Sequence, residues 1–279
     1  MYVLYAILAM LSFGISPIFY KTILRKDIPP FVANQIRAIM VLPMMLIFFI
    51  FSLKNLFQVT SNVLIILAII AFLGPVMGDS MYFYSLKYID VSLTAPLSSL
   101  YAVLIPILMF IFLGTSFNIF IILGAIFVVF GIYLLQERKM SKFHKRGVVF
   151  ALVSAIFYSL AILLMGIAIS IASAEVITIY RIIFSILFLT PLALRNNDIP
   201  KNPLIWIILG IGGFFGIGIG IVFMLYSIYM VGVAITGIFS SASPLITSIL
   251  GIAIFKEEKN LKKIVGIGII GIGLLISNF

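Results

Sequence analysis

The chain has 279 residues, of which 64% are apolar and only 9% are charged. A soluble domain has about half of its residues apolar and about a quarter charged, so this composition excludes an ordinary soluble domain. The 18 Lys and Arg residues outnumber the 8 Asp and Glu residues and give a formal net charge of +10. In so apolar a chain we interpret this excess as basic loops that orient the protein in a membrane, and not as a nucleic-acid surface.

Chemistry that depends on cysteine or on clustered histidines is excluded as well. The chain has no cysteine, and its one histidine, His144, lies in a charged stretch. A disulfide framework, a thiol nucleophile and a thiolate metal site are therefore ruled out, and a histidine-based metal centre or triad is nearly so. We expect no metal, no cofactor and no catalytic site, and hence no enzyme.

The first segment, residues 1–21, carries no charge before Lys21. A cleaved signal peptide has a basic start and a cleavage site of small residues. Because this segment has neither feature and is about 20 residues long, a length that crosses a bilayer, we expect it to be a retained first transmembrane helix.

The rest of the chain continues in the same way. A helix satisfies its own backbone hydrogen bonds in lipid, and about 20 apolar residues cross the bilayer. The sequence therefore predicts an all-α integral membrane protein with ten transmembrane helices, short connections and no soluble domain. The predicted stretches are 2–24, 31–53, 62–87, 91–113, 117–136, 147–170, 174–194, 203–230, 233–255 and 261–278.

The basic residues are distributed unequally between the two sides of the predicted membrane. Fifteen of them lie in the loops that join helices 1–2, 3–4, 5–6, 7–8 and 9–10, whereas the other side, with both termini, has only Lys54. Because cytoplasmic loops are rich in Lys and Arg, we predict a cell-membrane protein with extracellular termini. The fifteen are Lys21, Arg25, Lys26, Lys87, Arg138, Lys139, Lys142, Lys145, Arg146, Arg195, Lys201, Lys256, Lys259, Lys262 and Lys263.

The two halves of the sequence resemble each other. A shift of 142 residues places nine Gly, Ser, Thr and Tyr residues on identical residues, and near the starts a shift of 144 places Arg37 on Arg181. Because each repeat holds five helices, an odd number, two consecutive copies are expected to be inverted repeats. We divide the chain into a first repeat at 1–138, a basic linker at 139–146 and a second repeat at 147–279. The nine pairs are Gly74/Gly216, Gly78/Gly220, Tyr84/Tyr226, Ser85/Ser227, Thr94/Thr236, Ser98/Ser240, Ser99/Ser241, Gly124/Gly266 and Gly131/Gly273.

Two segments around the third predicted helix of each repeat carry a family resemblance. They are YFYSLKYIDVSLTAP at 82–96 and MLYSIYMVGVAITG at 224–237, and segment 241–273 adds a proline, a glutamate and spaced glycines. On these residues the whole chain resembles the EamA-type transporters of the drug/metabolite transporter superfamily. In segment 241–273 the proline is Pro244 and the glutamate is Glu257.

The first half departs from this pattern, because Ala102 and Thr115 stand where the family has proline and glutamate. The resemblance implies two five-helix repeats and transport of small polar metabolites such as amino acids, amines, sugars or nucleotide derivatives, often by export and in some members coupled to protons. It also implies cytoplasmic termini, whereas the basic loops favour extracellular ones.

Three ionisable residues lie well inside predicted helices, where each costs about 3 kcal/mol to insert. Arg37 and Asp79 both lie about 9–12 Å from the cytoplasmic side, so that they can form an ion pair. Alternatively, Arg37 extends to the lipid headgroups and Asp79 caps a helix break at Gly78. Arg181 mirrors Arg37 in the second half, but Ile221 stands where Asp79 would be mirrored.

Hydroxyl-bearing residues in the predicted spans are the remaining candidates. Serines on the fourth and ninth helices either hydrogen-bond between packed helices or bind substrate, and the resemblance implies that these helices line a central cavity. Tyrosines inside spans either pack or stack on a substrate. The candidate substrate-binding residues are Asp79, Arg37, Ser98, Ser99, Tyr101, Ser240, Ser241, Tyr82 and Tyr158.

Glycines at helical spacing indicate close helix packing. Gly212, Gly216 and Gly220 form one such face on the eighth predicted helix, and Gly266 and Gly273 belong to another on the tenth. The second face serves either packing within the chain or a dimer contact, so that both a monomer and a homodimer stay open.

Taken together, these features predict a secondary active transporter that exports small organic metabolites, such as amino acids, by alternating access between two inverted repeats. Its partners are a small-molecule substrate, the lipid bilayer and protons as the coupling ion, with Asp79 as the candidate proton carrier. A passive channel or a membrane receptor is the alternative. An intramembrane enzyme would need a nucleophile and base or a metal constellation, which the sequence lacks.

Overall fold

The computed structural model describes residues 3–21, 28–89, 91–116, 118–135, 144–195, 199–255 and 261–277. In this part of the chain 89% of the residues are helical and none is in a strand. Most of the predicted linker 139–146 lies outside the described residues, as does Glu257.

Each stretch predicted from the sequence contains one or two helices. The first half consists of α1 (Leu4–Lys21), α2 (Pro30–Phe48), a 3₁₀ segment (Ile50–Gln58), α3 (Ser61–Ala71), a π-helix (Phe72–Gly78), α4 (Asp79–Tyr88), α5 (Val91–Ser98), α6 (Tyr101–Leu113) and α7 (Ile119–Leu135). The second half consists of α8 (Lys145–Ala168), α9 (Ala174–Leu194), α10 (Pro203–Gly213), a second π-helix (Phe214–Ile219), α11 (Gly220–Val231), α12 (Val233–Ser241), α13 (Ser243–Phe255) and α14 (Leu261–Ile276).

Many of these helices are long and apolar enough to cross a membrane. Within the described residues, 7 helices meet that condition and two shorter apolar helices accompany them. The 7 are Pro30–Phe48, Ser61–Ser85, Thr94–Leu113, Lys145–Ala168, Ala174–Leu194, Pro203–Val231 and Val233–Leu250. The shorter ones are Leu4–Phe19 and Ile119–Leu135. Large apolar side chains on outer faces, such as Phe112 and Phe130, are exposed, as lipid-facing side chains are. The chain is a multi-pass membrane protein.

A π-helix interrupts the third predicted stretch of each half at the corresponding position. In the first half Pro75 has no backbone N–H, so it cannot bond to the carbonyl group of Ala71. The helix widens there, and the amide of Asp79 bonds to the carbonyl group of Gly74, five residues back. In the second half Gly218 departs from helical geometry, with φ −91° and ψ −105°. π-bulges of this kind are frequent at functional sites.

The predicted helices 91–113 and 233–255 are each divided into two. A short turn at Ser99 and Leu100 separates α5 from α6, and one at Ala242 separates α12 from α13. Backbone hydrogen bonds there join residues three apart, as in a 3₁₀-helix, and not four apart. One runs from the amide of Ala102 to the carbonyl group of Ser99, at 3.0 Å. Pro244 lies beside the second break, but Ala102 occupies its place in the first half, so proline alone does not cause the division.

Helices α7 and α14 pack closely through glycines. A Cβ atom at Gly124 would lie 2.7 Å from the carbonyl oxygen of Gly273, and one at Gly131 would lie 2.9 Å from that of Gly266. The absence of side chains at these positions lets the two backbones meet. Because Gly124 meets the later glycine and Gly131 the earlier one, the two helices run antiparallel. The glycine face of α14 therefore serves packing within the chain.

Two hydrogen bonds between hydroxyl groups occupy corresponding positions in the halves. Ser85 and Thr94 lie 3.0 Å apart and join α4 to α5. Ser227 and Thr236 lie 2.7 Å apart and join α11 to α12. All four side chains are fully buried. Each bond closes the short connection between two helices and satisfies polar groups inside an apolar core.

Candidate functional site

An ion pair between Arg37 and Asp79 is the centre of the candidate site. Nη2 of Arg37, on α2, bonds to Oδ2 of Asp79, the first residue of α4. The Arg37 side chain is 9% exposed and that of Asp79 is 18% exposed. Arg37 therefore does not extend to the headgroups, and the side chain of Asp79 does not cap the break at Gly78. Of the alternatives left open by the sequence, the ion pair is the one found.

Tyr158 completes the site from the second half of the chain. Its hydroxyl group donates a hydrogen bond of 2.6 Å to Oδ1 of Asp79, so that both carboxylate oxygens have a partner. Tyr158 lies on α8 and packs edge-on against the ring of Tyr101, with the ring centroids 5.9 Å apart. A Cβ atom at Gly78 would lie 2.7 Å from the Tyr158 ring. The missing side chain at Gly78 thus lets the tyrosine reach the carboxylate.

Neighbouring side chains bind carbonyl groups along the first π-helix. The hydroxyl group of Ser154 donates to the carbonyl oxygen of Gly78 at 3.0 Å, and Nδ2 of Asn34 donates to that of Pro75 at 3.3 Å. A π-helix leaves carbonyl groups without their usual partners, and buried carbonyls need hydrogen bonds. Ser154 and Asn34 therefore hold the backbone on which Asp79 is mounted. The sequence analysis did not find them, because serine and asparagine in an apolar span carry no distinctive pattern.

Arg181 lies near this cluster, on α9. A Cβ atom at Gly74 would lie 3.3 Å from Nη2 of Arg181 and 3.5 Å from the side chain of Ala161. The side chain is buried, at 7% exposed. Its charge interacts with the charges of Asp79 and Arg37. This cluster thus holds two guanidinium groups and one carboxylate among the described residues.

No hydrogen bond among the described residues joins the four predicted serines to the ion pair. All of them are buried near the breaks between α5 and α6 and between α12 and α13. The hydroxyl groups of Ser98 and Ser240, which correspond in the two halves, have no hydrogen-bond partner in the structure. The hydroxyl group of Ser241 donates to the carbonyl oxygen of Ile238 at 2.7 Å, which is a packing role. Tyr82 lies on α4 beside Phe83, with the ring centroids 5.9 Å apart.

A second polar contact lies at the opposite end of the helices. The hydroxyl group of Tyr226 donates to Oε1 of Glu175 at 2.8 Å, and the ring of Tyr5 lies 5.3 Å from that of Tyr226. At the corresponding place in the first half, Phe31 and Tyr84 form an edge-on ring contact at 5.6 Å. The repeat match between Tyr84 and Tyr226 was the signal in the sequence for this contact.

The comparisons with known proteins agree with this architecture. The model of the EamA-like transporter family matches residues 1–136 and 145–279. The chain belongs to the EamA-like transporter family. It is accordingly a membrane transporter, as the sequence predicted, and both the family and the relative described next indicate transport and not catalysis.

Among the proteins similar to this transporter, two illustrate the likeness. A protein of Archaeoglobus fulgidus described as an uncharacterized transporter is 26% identical over 212 residues, which is 76% of this chain and 75% of the relative. One protein of known crystal structure has the same fold, with a TM-score of 0.82 at 16% identity over 99% of this chain and 96% of the other.

Proposed function

We propose that this transporter is a secondary active carrier that exports small organic metabolites across the cell membrane by alternating access between two inverted repeats. Amino acids and related solutes are the proposed substrate class, and the proton is the proposed coupling ion. The observation that carries this proposal is the bond network at Asp79, in which one carboxylate joins α2 and α8, a helix of each half.

The inverted arrangement of the halves is supported by the glycine contacts between α7 and α14. With a shift of 142 residues, Gly124 in the first half corresponds to Gly266 in the second, and Gly131 corresponds to Gly273. Exchanging the halves therefore converts the contact of Gly124 with Gly273 into that of Gly266 with Gly131, which is the other contact observed. A twofold relation between the halves would exchange the two contacts in this way. Because the equivalent helices are antiparallel, such an axis would lie across them, in the plane of the membrane.

The corresponding elements along the chain support the same division. The π-helices begin at Phe72 and Phe214, which differ by 142 residues. The buried hydroxyl pairs Ser85–Thr94 and Ser227–Thr236 differ by the same 142 residues. The family model also matches one segment in each half. These correspondences fit a first repeat at 1–138 and a second at 147–279.

Alternating access needs bonds between the halves that form in one state and break in another. The hydrogen bond from Tyr158 to Asp79 is such a bond, since Asp79 belongs to the first half and Tyr158 to the second. A proton on Asp79 would cancel the charge that attracts Arg37 and weaken the bond from Tyr158. Proton uptake would then break the contact between Tyr158 and Asp79 and favour movement of one half relative to the other. Moving one charge through the membrane potential supplies about 2.3 kcal/mol per 100 mV.

The orientation follows from charge. Arg195 and Lys201 lie on the side of the predicted membrane that holds the Lys- and Arg-rich loops. Glu175 and Lys54 lie on the opposite side. We place the basic side in the cytoplasm, which puts the termini and the contact of Glu175 with Tyr226 at the extracellular face.

Uptake into proteoliposomes tests this function. The purified protein is reconstituted, and radiolabelled amino acids, amines, sugars and organic acids are supplied with and without a pH gradient. Saturable uptake that the gradient drives above equilibrium supports the carrier. A passive channel would give non-saturable flux that never exceeds equilibrium, and a receptor would bind solute without flux. Either of the latter results would overturn the proposal.

A further inference from the structure

The buried charges around Asp79 do not balance. Arg37, Asp79 and Arg181 lie in membrane-spanning helices and interact with one another, so the cluster carries one more positive than negative charge. A charge inside a membrane is costly unless it is paired. Its presence calls for an anion that the described residues do not supply, and this inference rests on the proposed transport function.

The excess charge belongs to Arg181. Asp79 is engaged on both oxygens, by Arg37 and by Tyr158. The guanidinium group of Arg181 is more than nine-tenths buried, and its Nε has no hydrogen-bond partner in the structure. A buried donor without a partner costs about 1–3 kcal/mol, and more when it is charged. A protein can retain such an unpaired donor when a bound ligand pairs with it during function.

The internal duplication explains why the guanidinium group of Arg181 has no carboxylate of its own. Arg37 and Arg181 occupy corresponding positions, but the position that corresponds to Asp79 is Ile221, which is buried and apolar. The first half therefore has a complete ion pair, and the second half has the cation without its carboxylate. The second half keeps the same donor group and leaves the acceptor to come from elsewhere.

The guanidinium group of Arg181 packs closely against small residues. The backbone at Gly74 has no side chain, and Ala161, which also lies close to it, has only a methyl group. Any larger side chain at position 74 would approach Nη2 of Arg181, since even a Cβ atom would lie 3.3 Å from it. Gly74 and Ala161 carry no side-chain acceptor for the N–H donors of Arg181, and its Nε stays without a hydrogen-bond partner among the described residues.

We infer that Arg181 binds the carboxylate group of the transported solute, so that the substrate supplies the anion that Ile221 does not. A guanidinium group presents a fork of N–H donors that matches a carboxylate in two parallel hydrogen bonds. One excess positive charge is neutralised by one carboxylate, whereas a phosphate monoester would leave the cluster negative. The amide group of the matched amide offers one carbonyl oxygen and no negative charge, and the amide binds more weakly.

Thermal unfolding of the purified transporter with matched ligand pairs tests this inference. The probes are benzoate with benzamide, lactate with lactamide, and leucine with leucinamide. At least one carboxylate is expected to raise the Tm of the wild type in a saturable manner, while its amide does not. Equal shifts within every pair, or no shift with any carboxylate, would overturn the inference.

Four variants locate the effect. Arg181→Gln is expected to weaken the apparent Kd of that carboxylate at least about tenfold, since it removes charge-assisted hydrogen bonds. Arg181→Lys keeps the charge and part of the affinity. Ile221→Asp supplies the missing counter-ion and is expected to abolish the shift, whereas Ile221→Asn, equally polar but neutral, keeps it. Wild-type affinity in both Arg181→Gln and Ile221→Asp would contradict the assignment.

The surface variant Arg195→Gln serves as the control for charge removal, because Arg195 is exposed at the end of α9. Binding and transport are then separated in proteoliposomes. A labelled carboxylate that raises the Tm but never crosses the membrane would refute the transport function and leave the site intact. Saturable transport of neutral or cationic solutes, without preference for carboxylates, would support the transport function and refute the site.

Discussion

The hydroxyl group of Tyr158 donates a hydrogen bond of 2.6 Å to Oδ1 of Asp79 and so ties the second half of the chain to the first. Arg37 holds the other oxygen of the same carboxylate. The side chain of Asp79 thus binds a guanidinium group from α2 and a phenol from α8, at the point where the first π-helix ends. Any change in the charge of Asp79 acts on both contacts at once.

The substitution Asp79→Asn separates a proton carrier from a fixed strut. Asparagine keeps the size of the side chain but cannot be charged. If Asp79 carries the proton, accumulation driven by a pH gradient is lost while exchange of labelled for unlabelled solute continues. Uptake and exchange in proteoliposomes measure the two. Full gradient-driven accumulation by Asp79→Asn would rule out the coupling role.

The strut alternative has its own signature in stability. Asp79→Asn would then leave Arg37 buried without its counter-ion, a change that costs about 3–5 kcal/mol when a buried pair is broken. The double variant with Arg37→Gln would regain most of that loss. Thermal unfolding of the single and double variants measures this. We expect the single variant to be destabilised in either case, but only a strut gives a double variant in which gradient-driven accumulation recovers together with stability.

The substitution Tyr158→Phe removes the hydrogen bond to Asp79 and keeps the ring. Hydrogen bonds to charged groups contribute about 1.5–3 kcal/mol, so we expect a fall in Tm and slower exchange, because the contact between the halves is weakened. Tyr84→Phe is the matched control, since Tyr84 packs its ring on Phe31 and its hydroxyl group has no hydrogen bond among the described residues. Equal behaviour of the two variants would show that the bond to Asp79 is unimportant.

The glycine contact between α7 and α14 predicts opposite outcomes for two neighbouring substitutions. In Gly273→Ala the new Cβ atom would lie 2.7 Å from the carbonyl oxygen of Gly124, so the helices must separate. Overpacking of this kind costs about 1–3 kcal/mol. Gly271 has nothing within 4 Å of a Cβ atom, and Gly271→Ala is expected to be neutral or stabilising by up to about 1 kcal/mol.

Thermal unfolding of the two variants checks this directly. A larger loss in Gly271→Ala than in Gly273→Ala would mean that α7 and α14 do not pack as described. Because both substitutions lie on α14 and make the same chemical change, propensity and expression effects cancel between them.

The orientation is tested with single cysteines, since the chain has no native one. Thr60→Cys and Lys201→Cys place thiols at exposed positions on opposite sides of the membrane. The basic loops predict that an impermeant thiol reagent labels Thr60→Cys on intact cells and Lys201→Cys only after lysis. The reverse pattern would place the basic side outside the cell and refute the orientation.

The sequence predicted some of these features because they depend on distance along one helix. The ion pair of Arg37 with Asp79 followed from equal depths, which the rise per residue determines. The bond from Tyr158 could not be predicted, because it depends on how α8 packs against α4.

Polar contacts at helix ends were the least predictable. Glu175 begins α9, where an acidic residue favourably meets the helix dipole and is usually solvated. Its bond to Tyr226 arises because α11 packs against α9 near the start of α9. The surroundings of Arg181 were equally hidden, since the sequence paired it with Arg37 but gave no sign that Gly74 would lie beside its guanidinium group.

Alternating access is tested most directly by counterflow in proteoliposomes. The vesicles are loaded with unlabelled solute, and a trace of the same radiolabelled solute is added outside, for amino acids and organic acids in turn. A carrier that exposes one site to one side at a time transiently concentrates the label inside above its equilibrium level. We predict this overshoot for at least one carboxylate-bearing solute, with its loss in Arg181→Gln. Equilibration without overshoot for every solute that crosses would contradict alternating access and indicate a passive channel.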